Sequence, residues 1–373
     1  MKIAIDARGV NWYKGTGIGT YTDKILRYMV SKHREHKYHI YWSGPDYDSY
    51  KHSNTKIIMT SNKHHKFFEQ NYFPNNLAKE NADIYHIPQN GIGISEKILC
   101  KTVVTIHDLI PYILPETVGK GYLSKFLDQI PKIINISSGI LTVSECSKRD
   151  ILKFFPIDES KIFVTPLAAD EQYKPLDKID SMNIVKKLYN ITKPFILYIG
   201  GFSPRKNVKS LISAYSKIYK NIKQDYELVI IGATKEDGNS LKKLIVDMGI
   251  ESKVKFTGFV TEELLPVFYN ACDVFVYPSL YEGFGLPPLE AMSCGTPVIT
   301  SNISSIPEVV GDGGILIDPF DVDELVSSLE KLLNHENERK SLSMKALQRA
   351  SEFSWEKTAL ATVKAYERIL YKE

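Results

Sequence analysis

A chain of 373 residues is long enough for two ordinary domains. Its 43% hydrophobic and 24% charged residues are those of a soluble globular protein, and no run approaches the ~20 apolar residues that a membrane-spanning helix needs. A net charge of +3 gives no case for a nucleic-acid partner.

Met1-Lys2 leads straight into a strand pattern, Ile3-Ala4-Ile5, without the layout of a signal peptide. The cysteines, Cys100, Cys146, Cys272 and Cys294, are scattered with no metal or redox spacing. Both features lead us to expect a cytoplasmic protein with reduced, mostly buried thiols. The charge is uneven: residues 1–168 carry 22 Lys and Arg against 16 Asp and Glu, whereas the remainder carries 25 against 28. Eight of the nine histidines also fall in the first part. A basic first half suits an anionic membrane surface or a lipid-linked acceptor, and it equally suits ordinary surface lysine.

Short β-branched runs alternate with helical patterns along the whole chain. The predicted strands are 3–6, 38–42, 56–59, 84–87, 103–106 and 140–143, then 195–199, 227–231, 254–256, 274–277, 298–300 and 315–317. Alternation of this kind predicts parallel, doubly wound sheets, and twelve strands divide into two sheets of six. The break is expected after Ile162-Phe163-Val164-Thr165-Pro166, where a mixed polar segment precedes the next strand. With no long flexible linker, the two halves are expected to face each other across a cleft.

Several strand ends carry candidate functional groups. After the first strand comes Lys14-Gly15-Thr16-Gly17-Ile18-Gly19-Thr20, which reads G-x-G-x-G and sits too far beyond the strand for a dinucleotide fingerprint. Its glycines, Gly17 among them, let backbone N–H groups approach a phosphate or sugar near a helix start at about Thr20. Two segments without a strand pattern could meet a membrane: Lys63-His64-His65-Lys66-Phe67-Phe68 and Gly121-Tyr122-Leu123-Ser124-Lys125-Phe126-Leu127. His86 and Asn90 end the fourth strand and are candidate acceptor contacts, and His107 ends the fifth, where a cleft should open. Ser144 reads as a helix cap.

In the second half, Ile199-Gly200-Gly201-Phe202-Ser203-Pro204-Arg205-Lys206-Asn207 follows the first strand of the new sheet. Positive charge at a helix start opposes the helix dipole, so Arg205 and Lys206 there are best explained by a bound anion. Nucleobase contacts should come from loops near 232–235 and 257–260. The most informative segment is Tyr281-Glu282-Gly283-Phe284-Gly285-Leu286-Pro287-Pro288-Leu289-Glu290, between an apolar strand and a helix that stops near Cys294-Gly295. Pro287 and Pro288 suit a first helical turn, and backbone groups near Phe284, Gly285 and Leu286 could cradle a diphosphate. Glu282 then lies on the loop and Glu290 inside the first turns, both suited to sugar hydroxyls. Two D-x-D spellings, Asp46-Tyr47-Asp48 and Asp321-Val322-Asp323, lack the strand-terminal setting of a metal site and read as turn and cap.

The segment from about 195 to 316, above all the two glutamates separated by seven residues, resembles the retaining nucleotide-sugar glycosyltransferases of family 4. That resemblance implies a GT-B fold: α/β, with two Rossmann-like doubly wound parallel-sheet domains facing a cleft. The acceptor-side domain would be 1–168 plus 355–373, with the final helix crossing back, and the nucleotide-sugar domain 169–354. By the same resemblance Glu282 faces the donor sugar, Glu290 binds the ribose, and His107 contacts the sugar. Gly17 belongs to the family's glycine-rich first loop. Lys206 matches the family's phosphate lysine. The usual arginine position holds Gly201, and Arg205 is its displaced substitute.

The implied reaction is hexose transfer from a nucleotide diphosphate sugar to a glycan or lipid-linked acceptor, with retention, no cofactor and no metal. The Pro-Arg-Lys-Asn variant is similar to bacterial polysaccharide mannosyltransferases, which favours mannose. A nucleotide-sugar epimerase or sugar-phosphate enzyme on the same fold is the alternative.

Overall fold

The structure, a computed structural model, describes residues 1–61, 63–233 and 236–371. The chain separates into two compact units, Met1–Leu167 with Ser354–Glu373, and Ala168–Phe353.

The first unit is built on a sheet of seven parallel strands: β1 (Lys2–Asp6), β2 (Lys37–Trp42), β3 (Thr55–Met59), β4 (Ile84–Ile87), β5 (Lys101–Ile106), β6 (Gly139–Thr142) and β7 (Ile162–Val164). Their spatial order is β3-β2-β1-β4-β5-β6-β7. The inner strands are buried on both faces, which is why they read as continuous apolar runs rather than as alternations. The expectation of two six-stranded sheets is corrected here. Ile162–Val164 adds a seventh strand beside β6, with Ile140 opposite Ile162 and Thr142 opposite Val164. Three residues, followed after Thr165 by Pro166, are too few for a periodic signal.

The second unit holds β8 (Phe195–Ile199), β9 (Glu227–Ile231), β10 (Val254–Gly258), β11 (Val274–Tyr277), β12 (Val298–Ser301) and β13 (Ile315–Ile317), in the order β10-β9-β8-β11-β12-β13. All its pairings are parallel. In each sheet the order reverses beside the first strand, between β1 and β4 and between β8 and β11. Ligands of doubly wound sheets bind outside the carboxyl ends of the strands at such reversals.

Local chemistry explains the helix starts. Thr16 caps helix Gly17–Lys32, its Oγ1 accepting the Gly19 N–H, so the helix begins three residues earlier than its sequence suggests. Ser144 caps Glu145–Phe154 through the Ser147 N–H, and Asp321 caps Val322–Asn334 through the N–H groups of Asp323 and Glu324. Asp48 Oδ1 is paired with Lys51 Nζ at 2.6 Å. The final helix, Trp355–Tyr371, packs on helix Gly17–Lys32 within the first unit. Among the described residues no helix is long and apolar enough to cross a membrane.

Candidate functional site

At the β8/β11 reversal two loops are stitched together. The Arg205 carbonyl accepts the Leu280 N–H at 2.7 Å and the Ser279 hydroxyl at 3.2 Å. This brings the cations of one loop onto the carboxylate of the other. Glu282 Oε1 lies 2.8 Å from Lys206 Nζ and 2.8 Å from Arg205 Nη1. The same oxygen accepts the Tyr277 hydroxyl at 3.0 Å and the Ser279 hydroxyl at 2.5 Å. Burial alone would push the Glu282 carboxyl up, but the Lys206 and Arg205 charges, with hydrogen bonds from Lys206 and Ser279, hold it down at about 2. Glu282 is therefore an ionised carboxylate that, without ligand, neutralises part of the charge of both cations. Lys206 also lies over the Tyr277 ring, 5.0 Å from its centroid, and Tyr277 stacks on Tyr198.

Serine hydroxyls hold the glutamate loop from behind. Ser304 Oγ accepts the Glu282 N–H at 3.1 Å, and Ser305 Oγ donates to the carbonyls of Glu282 at 2.8 Å and Phe284 at 2.7 Å. Gly285 turns the chain into helix Leu286–Ser293 with φ +118°, and a Cβ there would stand 2.8 Å from Ile306 Cδ1. The helix start is narrower as an anion site than a generic N-terminus. Pro287 and Pro288 have no N–H, so the first turn offers that of Leu286, with those of Phe284 and Gly285 ahead of it.

Glu290 occupies a different electrostatic setting on the same helix. Its Oε2 accepts the Tyr269 hydroxyl at 3.0 Å, and Tyr173 stands edge-on to Tyr269. Burial pushes the Glu290 carboxyl up to about 7; the carboxylates of Glu262 and Asp170 add to this, while hydrogen bonds from Tyr269 and Tyr173 oppose it. Of the loops expected near the base, residues 234 and 235 lie outside the described residues. Gly232 donates to the Gly258 carbonyl at 3.1 Å, beside an exposed Phe259.

In the first unit His107 leaves β5 at the same end as the β1/β4 reversal. Its Nε2 sits 2.9 Å from the Pro88 carbonyl, which can only accept, so Nε2 carries the proton and Nδ1 the lone pair. Burial lowers its pKa to about 4 against that hydrogen bond, leaving a neutral ring that can accept a hydroxyl. Asn90, at φ +52°, turns its Oδ1 to the His107 N–H at 3.0 Å. Asn90 thus positions His107. Gly17 is exposed in the first helical turn.

His86 corrects the sequence reading of an acceptor contact. It is fully buried, Nε2 lies 2.8 Å from Thr105 Oγ1, and Nδ1 lies 2.6 Å from the Tyr366 hydroxyl. Both ring nitrogens are used, so His86 fastens the final helix to the sheet and reaches no ligand.

Sequence reasoning also passed over Arg8. Its guanidinium forks onto Asp6, with Nε to Oδ1 at 2.7 Å and Nη2 to Oδ2 at 2.6 Å, and Nη2 reaches Glu69 at 3.1 Å. An acid and an arginine two residues apart at a strand end was the available signal. Of the two candidate membrane segments, Phe67, Tyr122 and Leu127 are exposed, whereas Phe126 packs into the core. Among the described residues no group of three or more His, Cys, Asp or Glu could hold a metal ion.

Comparison with known proteins matches residues 15–173 to the family described as Glycosyltransferase Family 4, and residues 182–349 to Glycosyl transferases group 1. The chain is 35% identical over 267 residues to O-antigen chain mannosyltransferase B of Escherichia coli, covering 72% of this chain and 70% of that protein. It is 32% identical over 280 residues to serotype-specific mannosyltransferase WbdA of Escherichia coli, covering 74% of this chain but only 34% of that longer protein. Sucrose-phosphate synthase from Thermosynechococcus elongatus superposes with a TM-score of 0.78 over 100% of both chains at 19% identity, a likeness of fold.

Proposed function

The chain belongs to family 4 of the glycosyltransferases, with the GT-B fold, and from that premise we propose that it moves a hexose, with mannose favoured, from a nucleoside diphosphate sugar to a glycan or lipid-linked acceptor. The observation that carries this reading is the meeting of Arg205, Lys206 and Glu282 at the carboxyl ends of β8 and β11, beside the N–H of Leu286. Two relatives with long matches are named mannosyltransferases, which supports the choice of sugar.

In this reading the diphosphate takes Arg205 and Lys206, and Glu282 is released from them toward the sugar. Negative charge grows on the diphosphate as the glycosidic bond breaks, so two fixed cations stabilise the transition state more than the ground state. They would also do the work that a metal does elsewhere, and transfer would proceed without one. Glu290 accepts the ribose hydroxyls. His107, neutral, accepts a sugar hydroxyl at Nδ1. Retention follows a front-face route in which a phosphate oxygen takes the acceptor proton. The basic first unit, with Phe67, Tyr122 and Leu127 outward, supports docking on the anionic cytoplasmic face of a membrane.

A thermal-shift screen of GDP-, UDP- and ADP-sugars, followed by transfer to methyl hexosides, tests the reading. A bound donor at ~100 times its dissociation constant adds ~2.7 kcal/mol of stability. Stabilisation by one family of nucleotide sugars and label transfer are expected. Donor turnover to an isomer, with no label transferred, would replace the transferase by an epimerase.

A further inference from the structure

Beneath the carboxyl edge of β1 and β4, four polar atoms are buried without partners. Among the described residues, Arg8 Nη1, the Tyr85 hydroxyl, Gln89 Nε2 and Gln89 Oε1 make no hydrogen bond. Arg8, Tyr85 and Gln89 are each no more than 1% exposed. Such groups are costly when left unmade, at about 1–3 kcal/mol each, and folded proteins seldom gather several in one place.

They lie on or just beyond the neighbouring strands β1 and β4. Tyr85 lies in the field of Asp6, Arg8 and Glu69. Gly9 follows Arg8, and a Cβ on it would stand 3.2 Å from Gln89 Oε1. Gln89 lies between Pro88 and Asn90, the two residues whose backbone and side chain hold His107. The cover is thin: Val10–Tyr13 are half-buried, and helix Gly9–Trp12 is a single turn without a side-chain cap.

The chemistry of the vacant atoms limits what they can take. An amide with both ends unmade wants a group that donates and accepts at once. The guanidinium nitrogen wants an acceptor, and the phenol can do either. Vicinal hydroxyls of a neutral sugar meet all three demands. A phosphate meets them poorly, because Asp6 and Glu69 already place two carboxylates against the one guanidinium.

We infer that Arg8, Tyr85 and Gln89 form a subsite for the hydroxyls of a neutral sugar. Resting on the transfer reading above, we assign that sugar to the acceptor. The acceptor is then recognised here through a glycosyl residue and not through a lipid phosphate.

Full-length protein titrated with methyl α-mannoside, followed by saturation-transfer NMR, reads this directly. Gln89→Ala should weaken the glycoside about tenfold, as two modest hydrogen bonds imply, and raise the KM for the same glycoside as acceptor to match. Tyr85→Phe, which keeps the ring in the core, should cost about threefold. Excess inorganic phosphate should leave the glycoside bound, and nucleotide-sugar binding should be unchanged in both variants.

The opposite results are equally plain. If Gln89→Ala raised the melting temperature while leaving glycoside affinity and acceptor KM untouched, these atoms would be sites for buried water and the inference would fall. Displacement of the glycoside by phosphate would overturn it too. A wild-type protein that turned over no nucleotide sugar would sink the transferase reading instead, and the glycoside affinity of Gln89→Ala would still decide this one.

Discussion

Donor affinity should rise with pH across neutrality, and Glu290 should be the reason. Ribose hydroxyls donate to an ionised carboxylate, whereas the ligand-free site pushes the Glu290 carboxyl up to about 7. Burial is the main cause. The facing groups are Tyr269 and Tyr173, which hydrogen-bond to the carboxyl, and the carboxylates of Glu262 and Asp170, which repel its charge. If only the ionised form binds, the apparent dissociation constant is multiplied by one plus the ratio of proton concentration to Ka. With a pKa of about 7 that factor is roughly eleven at pH 6 and close to one at pH 8, an overall gain of about tenfold. His107 and His86, lowered to about 4 and 3, stay neutral throughout and add no slope. Ligand-free stability should move the other way. The folded carboxyl keeps its proton where the unfolded one has lost it, so stability falls as pH rises from about 4.5 to about 7. Calorimetric titration of an intact nucleotide sugar, whose diphosphate does not titrate in this range, is the assay. Equal affinity at pH 6 and pH 8, or an unchanged slope in Glu290→Gln, would refute the reasoning.

Glu282→Gln keeps an acceptor for Tyr277 and Ser279 but drops the charge that Arg205 and Lys206 share. Turnover should fall about 10²–10³-fold while free nucleoside diphosphate binds at least as tightly as before, and weakening of both together would count against the assigned role. Lys206→Ala removes a charge-assisted phosphate contact of about 1.5–3 kcal/mol, so kcat/KM should drop roughly 10- to 150-fold; a change under threefold would place the phosphate elsewhere. Activity should survive EDTA, and full loss that Mn²⁺ or Mg²⁺ restores would reinstate a metal. Anionic vesicles should sediment the protein at low salt and release it at high salt; no sedimentation at low salt, with full activity on a soluble glycoside, would make the acceptor a free sugar.

Much of this architecture was legible because its strands are buried on both faces. Runs such as Phe195–Ile199 and Val274–Tyr277 announce themselves locally, and so do the caps at Ser144 and Asp321. What stayed hidden depends on distant parts of the chain. His86 and His107 look alike in sequence, each at a strand end. Tyr366, 280 residues from His86, seals one of them, whereas the other bonds through Nε2 to the Pro88 carbonyl. The two glutamates likewise look equivalent. Only packing sets Glu282 against two cations and Glu290 against tyrosines and other acids. Lys206 was readable as a phosphate ligand. That Glu282 occupies it beforehand was not, since the two lie 76 residues apart.

The return of the last helix to the first unit has a consequence for how the protein is made. Trp355–Tyr371 supplies Tyr366 to His86, and Ile369 packs so closely on β6 that a Cβ at Gly139 would stand 2.3 Å from its Cδ1. A ribosome releases the seven strands of the first sheet long before it releases this helix. Until then the face around His86 and Gly139 lacks its cover, while Ala168–Phe353 is contiguous in sequence and can close on its own. The unit begun first should therefore be the one completed last. A nascent chain stalled before Trp355 would present an uncovered apolar face, a natural handle for chaperones.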